Sequence, residues 1–110
     1  MPTTIIANLE KLLGSPRDGA LLRYSLGSEW LKIGEPAKAA ECLRASVERD
    51  PRFSAAWKLL GRALNESGDL PAALVAYEQG IHVAKEKGDI QAAKEMAVFA
   101  KRLRKLSSSG

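Results

Sequence analysis

Apolar residues along this chain recur at spacings of three and four, and no stretch alternates apolar and polar positions as a half-buried strand does. Ala and Leu are abundant, β-branched runs are missing, and aromatics are few. Gly and Pro interrupt the pattern at helix-length intervals, which divides the chain into six predicted helices. The first covers 4–13. Thr3 or Thr4 caps it, Ile5, Ile6, Leu9, Leu12 and Leu13 form its apolar face, and Gly14 suits the position after its end. Residues 15–19 form a loop, and a second helix runs over 20–33 to stop at Gly34. The third covers 35–49, with Pro36 in its first turn and Pro51 forbidding continuation. The fourth covers 53–66 and ends near Gly68. Asp69 caps the fifth, which reaches Lys85, and Asp89 caps the sixth, which reaches Leu106. Residues 107–110 read as a frayed tail.

From the second helix onward the pieces repeat. Leu26 and Leu60, Gly27 and Gly61, Gly34 and Gly68, and Ala39 and Ala73 are each 34 residues apart. One unit reads Trp57-x₂-Leu60-Gly61-x₂-Leu64, then Ala73-x₃-Tyr77. The other reads Arg23-x₂-Leu26-Gly27-x₂-Trp30, then Ala39-x₃-Leu43, then Pro51. Over residues 20–87 the chain therefore resembles the tetratricopeptide repeat family. Arg23 replaces the family's Trp, Leu64 its Tyr, and Lys85 its Pro. None of these departures disturbs the packing logic. Small residues stand where two helices approach closely, and large apolar ones fill the adjacent space.

The resemblance implies an all-α, right-handed solenoid of two helix-turn-helix hairpins, 20–53 and 54–87. Two repeats are fewer than such arrays usually need, so helices 4–13 and 89–106 are expected to cap the ends. The last carries Ala92, Met96, Phe99, Leu103 and Leu106 as one stripe. Lys94, Lys101, Arg102, Arg104 and Lys105 lie mostly on the opposite side, as a terminal cap requires.

Composition narrows the function classes. The chain has 110 residues, a net charge of +4 and 45% apolar residues, which suits one folded domain. Residues 1–84 are neutral overall, so the excess charge lies in 85–106. A single Cys, Cys42, excludes an internal disulfide, and a single His, His82, excludes a two-His metal site. The longest apolar run, Ala72 to Tyr77, is too short to span a bilayer. Met1 to Asn8 has no signal-peptide character, so a cytoplasmic location is expected. No phosphate-binding loop occurs. Cys42 reads as a small buried hydrophobe, Trp30 and Trp57 as packing residues, and Asp18, Asp50, Asp69 and Asp89 as turn and cap residues. No catalytic residue, cofactor or metal is expected.

The family resemblance also implies a concave groove lined by the first helix of each repeat, where another protein's peptide or helix binds. Register places Leu21, Tyr24, Ser28 and Leu31 there from one unit, and Ala55, Lys58, Arg62 and Asn65 from the other. Each set has spacing 3, 4, 3 and so shares a helix face. Lys58, Arg62 and Asn65 suit an acidic or carboxylate-ended partner. The two-carboxylate clamp of chaperone-binding relatives would need Lys at Tyr24 and Asn at Ser28 and Leu59, so that specificity is not carried over. The alternative reading is polyanion or membrane-surface binding through the basic face of the last helix. No nucleic-acid partner is expected, since no aromatic interleaves with that face. The protein should be a monomer or a weak homo-oligomer.

Overall fold

Residues 2–108, which the computed structural model describes, form six helices and no strand. They are α1 (Pro2–Glu10), α2 (Ala20–Lys32), α3 (Pro36–Arg49), α4 (Ser54–Glu66), α5 (Leu70–Glu86) and α6 (Ile90–Ser108). α2, α4 and α5 end alike. At the end of α2, Glu35 N–H donates to Trp30 O at 2.9 Å and Gly34 N–H to Leu31 O at 3.1 Å. Asp69 and Gly68 repeat this after α4, and Asp89 and Gly88 after α5. This double closure needs a left-handed residue at its corner, which Gly34 (φ 79°) and Gly68 (φ 89°) provide without a Cβ clash. The Asp69 and Asp89 side chains then accept the N–H groups of Ala72 and Ala92 as caps, each at 3.2 Å.

The short turns make α2–α3 and α4–α5 antiparallel hairpins, and α6 folds back on α5 in the same way. α2, α4 and α6 touch one another in sequence, whereas α3 and α5 do not. The first helices therefore form one layer and the second helices the other. The resulting slab measures 43 × 30 × 19 Å, two helices thick. A main core joins α2 to α6, with Leu43, Leu60 and Met96 at most 1% exposed. A smaller cluster seats Ile6, Leu9 and Leu12 on Leu22, Leu26 and Ile33.

Close approach within the hairpins depends on the two glycines 34 residues apart. A Cβ on Gly27 would stand 2.5 Å from Leu43 Cγ, and one on Gly61 2.6 Å from the Tyr77 ring.

The terminal helices differ from expectation in detail. α1 begins at Pro2, so Thr3 and Thr4 lie inside it rather than capping it, and it ends at Glu10 instead of Leu13. Leu12 and Leu13 bond three residues back, to Leu9 and Glu10, and that tightening closes the helix early. Ile5 and Leu13 are exposed, which narrows the apolar face to Ile6, Leu9 and Leu12. α6 continues through Ser107 and Ser108 rather than fraying at 107 as expected from the sequence; Ser109 and Gly110 lie outside the described residues, as does Met1. Its most buried line is Ala93, Met96, Ala100 and Leu103. Leu106 is exposed, because α6 is two residues longer than α5 and its last turn runs past it. Cys42 is half-buried, and burial raises its thiol pKa.

Candidate functional site

α2 and α4 present one face of each to the same side of the slab, with α6 beside α4. Between them lies a cavity of about 640 Å³. Tyr24 of α2, Ala55, Lys58, Leu59, Arg62 and Asn65 of α4, Tyr77 of α5 and Phe99 of α6 line it. Five of the eight groove residues expected from the sequence are thus brought together: Tyr24, Ala55, Lys58, Arg62 and Asn65. The other three are not. Leu31 is 7% exposed and belongs to the main core, since an apolar side chain ending α2 is drawn inward where Asn65, its counterpart on α4, stays at the surface. Leu21 is 68% exposed, one turn before Tyr24 and outside the lining. Ser28 is half-buried, also outside it.

Three lining residues were missed. Tyr77 and Phe99 read as core residues, and they are, but their stacked rings, with centroids 5.4 Å apart, also form part of the cavity wall. Leu59 follows Lys58 and supplies an apolar edge. Tyr24 packs on Phe53 with ring centroids 4.8 Å apart, which fixes its ring at the mouth. Burial pushes the Tyr77 hydroxyl up to about 12. The lining is therefore a patch of aromatic and aliphatic surface bordered by polar groups along α4.

The two cations on α4 already have partners. Lys58 Nζ lies 2.9 Å from Glu95 Oε1 of α6, and Arg62 Nε lies 2.7 Å from Glu66 Oε2 one turn along. The hydrogen bond and charge of Lys58 hold the Glu95 carboxyl below its ordinary pKa. The groove face of α4, none of whose expected lining residues is acidic, thus acquires a carboxylate from α6. Arg102, placed on the outer face by the sequence reading, extends its guanidinium over the Phe99 ring, 5.9 Å from the centroid. Arg104 is on the outside and pairs with Glu78 at 3.2 Å.

Away from the cavity, the residues read as structural take structural places. Arg23 pairs with Asp18 through two hydrogen bonds, Nε to Oδ1 at 3.0 Å and Nη2 to Oδ2 at 2.9 Å. The Gly14 N–H donates to the same carboxylate at 2.9 Å. Arg23, then Gly14, hold the Asp18 carboxyl far below the usual carboxylate range, and together they anchor the 15–19 loop. Asp50 accepts the Arg52 N–H at 3.0 Å in the turn after α3. Trp57 is half-buried against the core, with its indole N–H donating to Pro51 O at 2.8 Å. His82 is exposed. Among the described residues no group of His, Cys, Asp and Glu could hold a metal, and no helix is long and apolar enough to cross a membrane.

Known proteins share this architecture. A TPR repeat-containing protein of Pseudomonas aeruginosa is 50% identical over 99 residues, which cover 90% of this chain and 94% of that one. The solution structure of a Bordetella parapertussis protein superposes with a TM-score of 0.79 at 38% identity, over 94% of this chain and 90% of that one. The Sgt2 TPR domain of Aspergillus fumigatus gives 0.83 at 26% identity, over 99% of this chain and 72% of that one. The tetratricopeptide repeat family model matches residues 24–88, the segment that holds both close-approach glycines and the α4 side of the cavity. With the 34-residue register, the two hairpins and the layering of first against second helices, these likenesses establish that the chain belongs to the tetratricopeptide repeat family.

Proposed function

We propose that the chain is a non-enzymatic binding module, a single domain of two repeats (20–53 and 54–87) capped by α1 and α6. Its groove takes an acidic or carboxylate-ended segment of another protein in the cytoplasm. Members of this family generally serve as protein–protein interaction modules and non-enzymatic scaffolds. The observation that carries the finer reading is the cavity itself, in which the apolar surface of Tyr24, Leu59, Tyr77 and Phe99 borders Lys58, Arg62 and Asn65. An apolar side chain of the partner would fill the cavity while a neighbouring carboxylate meets its cationic border through charge-assisted hydrogen bonds, each worth about 1.5–3 kcal/mol. Such binding weakens with salt, because the cations are partly hydrated.

The alternative site, the basic face of α6, is reduced by its own contacts: Arg104 is paired with Glu78, and Arg102 leans onto Phe99. The test compares two double variants in capture of an acidic peptide with a free carboxyl end. Lys58→Glu/Arg62→Glu should lose capture and keep a cooperative melt, since neither side chain is in the core. Lys101→Glu/Arg104→Glu should bind as the wild type does. The reverse pattern, with heparin or anionic liposomes bound in place of the peptide, overturns the groove reading.

A further inference from the structure

The cations at and beside the cavity are not equivalent: Lys58 and Arg62 line it, whereas Arg102 lies next to it on the Phe99 ring. Lys58 is committed to Glu95, which reaches it from α6 at 2.9 Å. Arg62 gives its Nε to Glu66, leaving the two terminal nitrogens of its guanidinium as donors. Arg102 has no carboxylate within ion-pair distance among the described residues. Glu95 and Arg102 are seven residues apart on one helix, hence within about 20° of the same face. Glu95 already reaches across to α4, so that face of α6 borders the groove. α4 and α6 both run antiparallel to α5 and so share a direction. Two turns beyond Glu95, Arg102 therefore stands toward the Arg62 and Asn65 end, over the Phe99 ring that lines the cavity.

We infer that Arg102 is the groove's receiving cation: it binds the partner's carboxylate together with Arg62, while Lys58 and Glu95 form a neutral stop at the other end. This rests on the groove reading above and adds polarity to it. The acidic end of the partner segment lies toward the C-terminal turns of α4 and α6, and its apolar side chains lie against Phe99, Tyr77 and Tyr24. A carboxylate at Lys58 would have to displace Glu95 and leave it facing the ligand's own negative charge. At Arg102 no ion pair among the described residues has to be broken.

The experiment measures fluorescence anisotropy of fluorescein-labelled hexaglutamate with a free carboxyl end, against hexaglutamine, on the full chain. Arg102→Gln should weaken hexaglutamate binding about tenfold. Arg102→Lys should recover part of the loss, and the melting temperature of both should match the wild type, because Arg102 is exposed. Lys58→Gln should change affinity less than Arg102→Gln does. If Lys58→Gln loses binding and Arg102→Gln does not, the receiving role of Arg102 is wrong and the groove reading stands. If the wild type does not prefer hexaglutamate, or Lys58→Glu/Arg62→Glu binds it unchanged, the groove reading itself fails.

Discussion

The two hairpins share a register but solve the same packing problem with different chemistry. Position 23 in the first corresponds to Trp57 in the second, and Ser46 corresponds to Gly80. In α2–α3, Arg23 turns to Asp18 and the Ser46 hydroxyl, buried, donates to Ala20 O at 2.7 Å. In α4–α5, Gly80 leaves space that Trp57 and Met96 occupy: an added Cβ would stand 2.9 Å from Trp57 Cβ and 2.5 Å from Met96 Sδ. The first hairpin is thus tied by polar bonds to its own loop and helix start. The second is opened by a glycine so that a third first-type helix, α6, can pack on it. The cavity follows the same division. α2 gives it Tyr24, whereas α4 gives five residues and α5 and α6 one aromatic ring each. The cavity wall is built mainly by the second hairpin and α6.

The largest effect should come from filling the close approach at Gly61. Gly61→Leu drives a side chain into the Tyr77 ring, which is buried and stacked on Phe99, and should cost at least about 1–3 kcal/mol. Gly27→Leu meets Leu43, an aliphatic side chain with more room to change rotamer, and should cost less. Chemical denaturation measures both. Equal losses would mean that the hairpins do not differ as described.

Exchanging the residues at the second matched position sharpens the contrast. Ser46→Gly removes one buried hydrogen bond and adds a helix glycine, together about 1–2 kcal/mol. Gly80→Ser forces the Trp57 and Met96 contacts apart and should cost more, with the added loss of α6 protection in hydrogen exchange. A Gly80→Ser protein as stable as Ser46→Gly would contradict the role of Gly80 in seating α6.

A further effect, confined to alkaline solution, is a matter of pH. Tyr77 has its folded pKa raised to about 12 from an ordinary value near 10. A raised folded pKa gives stability that is complete below the unfolded value and is lost as pH rises through the folded one. Wild type should therefore weaken between about pH 10 and 12 by more than Tyr77→Phe does. Ultraviolet titration at the phenolate band should show the high-pKa step disappear in the variant. Parallel alkaline curves for the two proteins would remove burial as the cause.

The sequence displayed the hairpins well because their signals are local. Gly34, Gly68, Asp69 and Asp89 fix turns and caps within a few residues, and the Gly27/Gly61 register needs only a repeat to be noticed. The α6 side of the site was less visible. α4 begins 34 residues after α2, but α5 has 17 residues where α3 has 14, and α6 begins 36 residues after α4. The apolar stripe of α6 made its basic stretch read as the outer face of a cap, and the 34-residue register carried onward would misplace α6 by two residues. That concealed the Lys58–Glu95 pair, which joins residues 37 apart, and the placement of Arg102 beside Phe99. Leu31 illustrates the opposite limit. Its register position is a groove position, yet its side chain is apolar and the core takes it.

A nuclear magnetic resonance titration of the labelled chain with hexaglutamate tests the central claim most directly. The groove account predicts shift changes at Tyr24, Arg62, Asn65, Phe99 and Arg102, that is, along α4, α6 and the one α2 residue that lines the cavity. Changes confined to Lys101, Arg104 and their neighbours on the outer face, with the cavity residues unmoved, would contradict it.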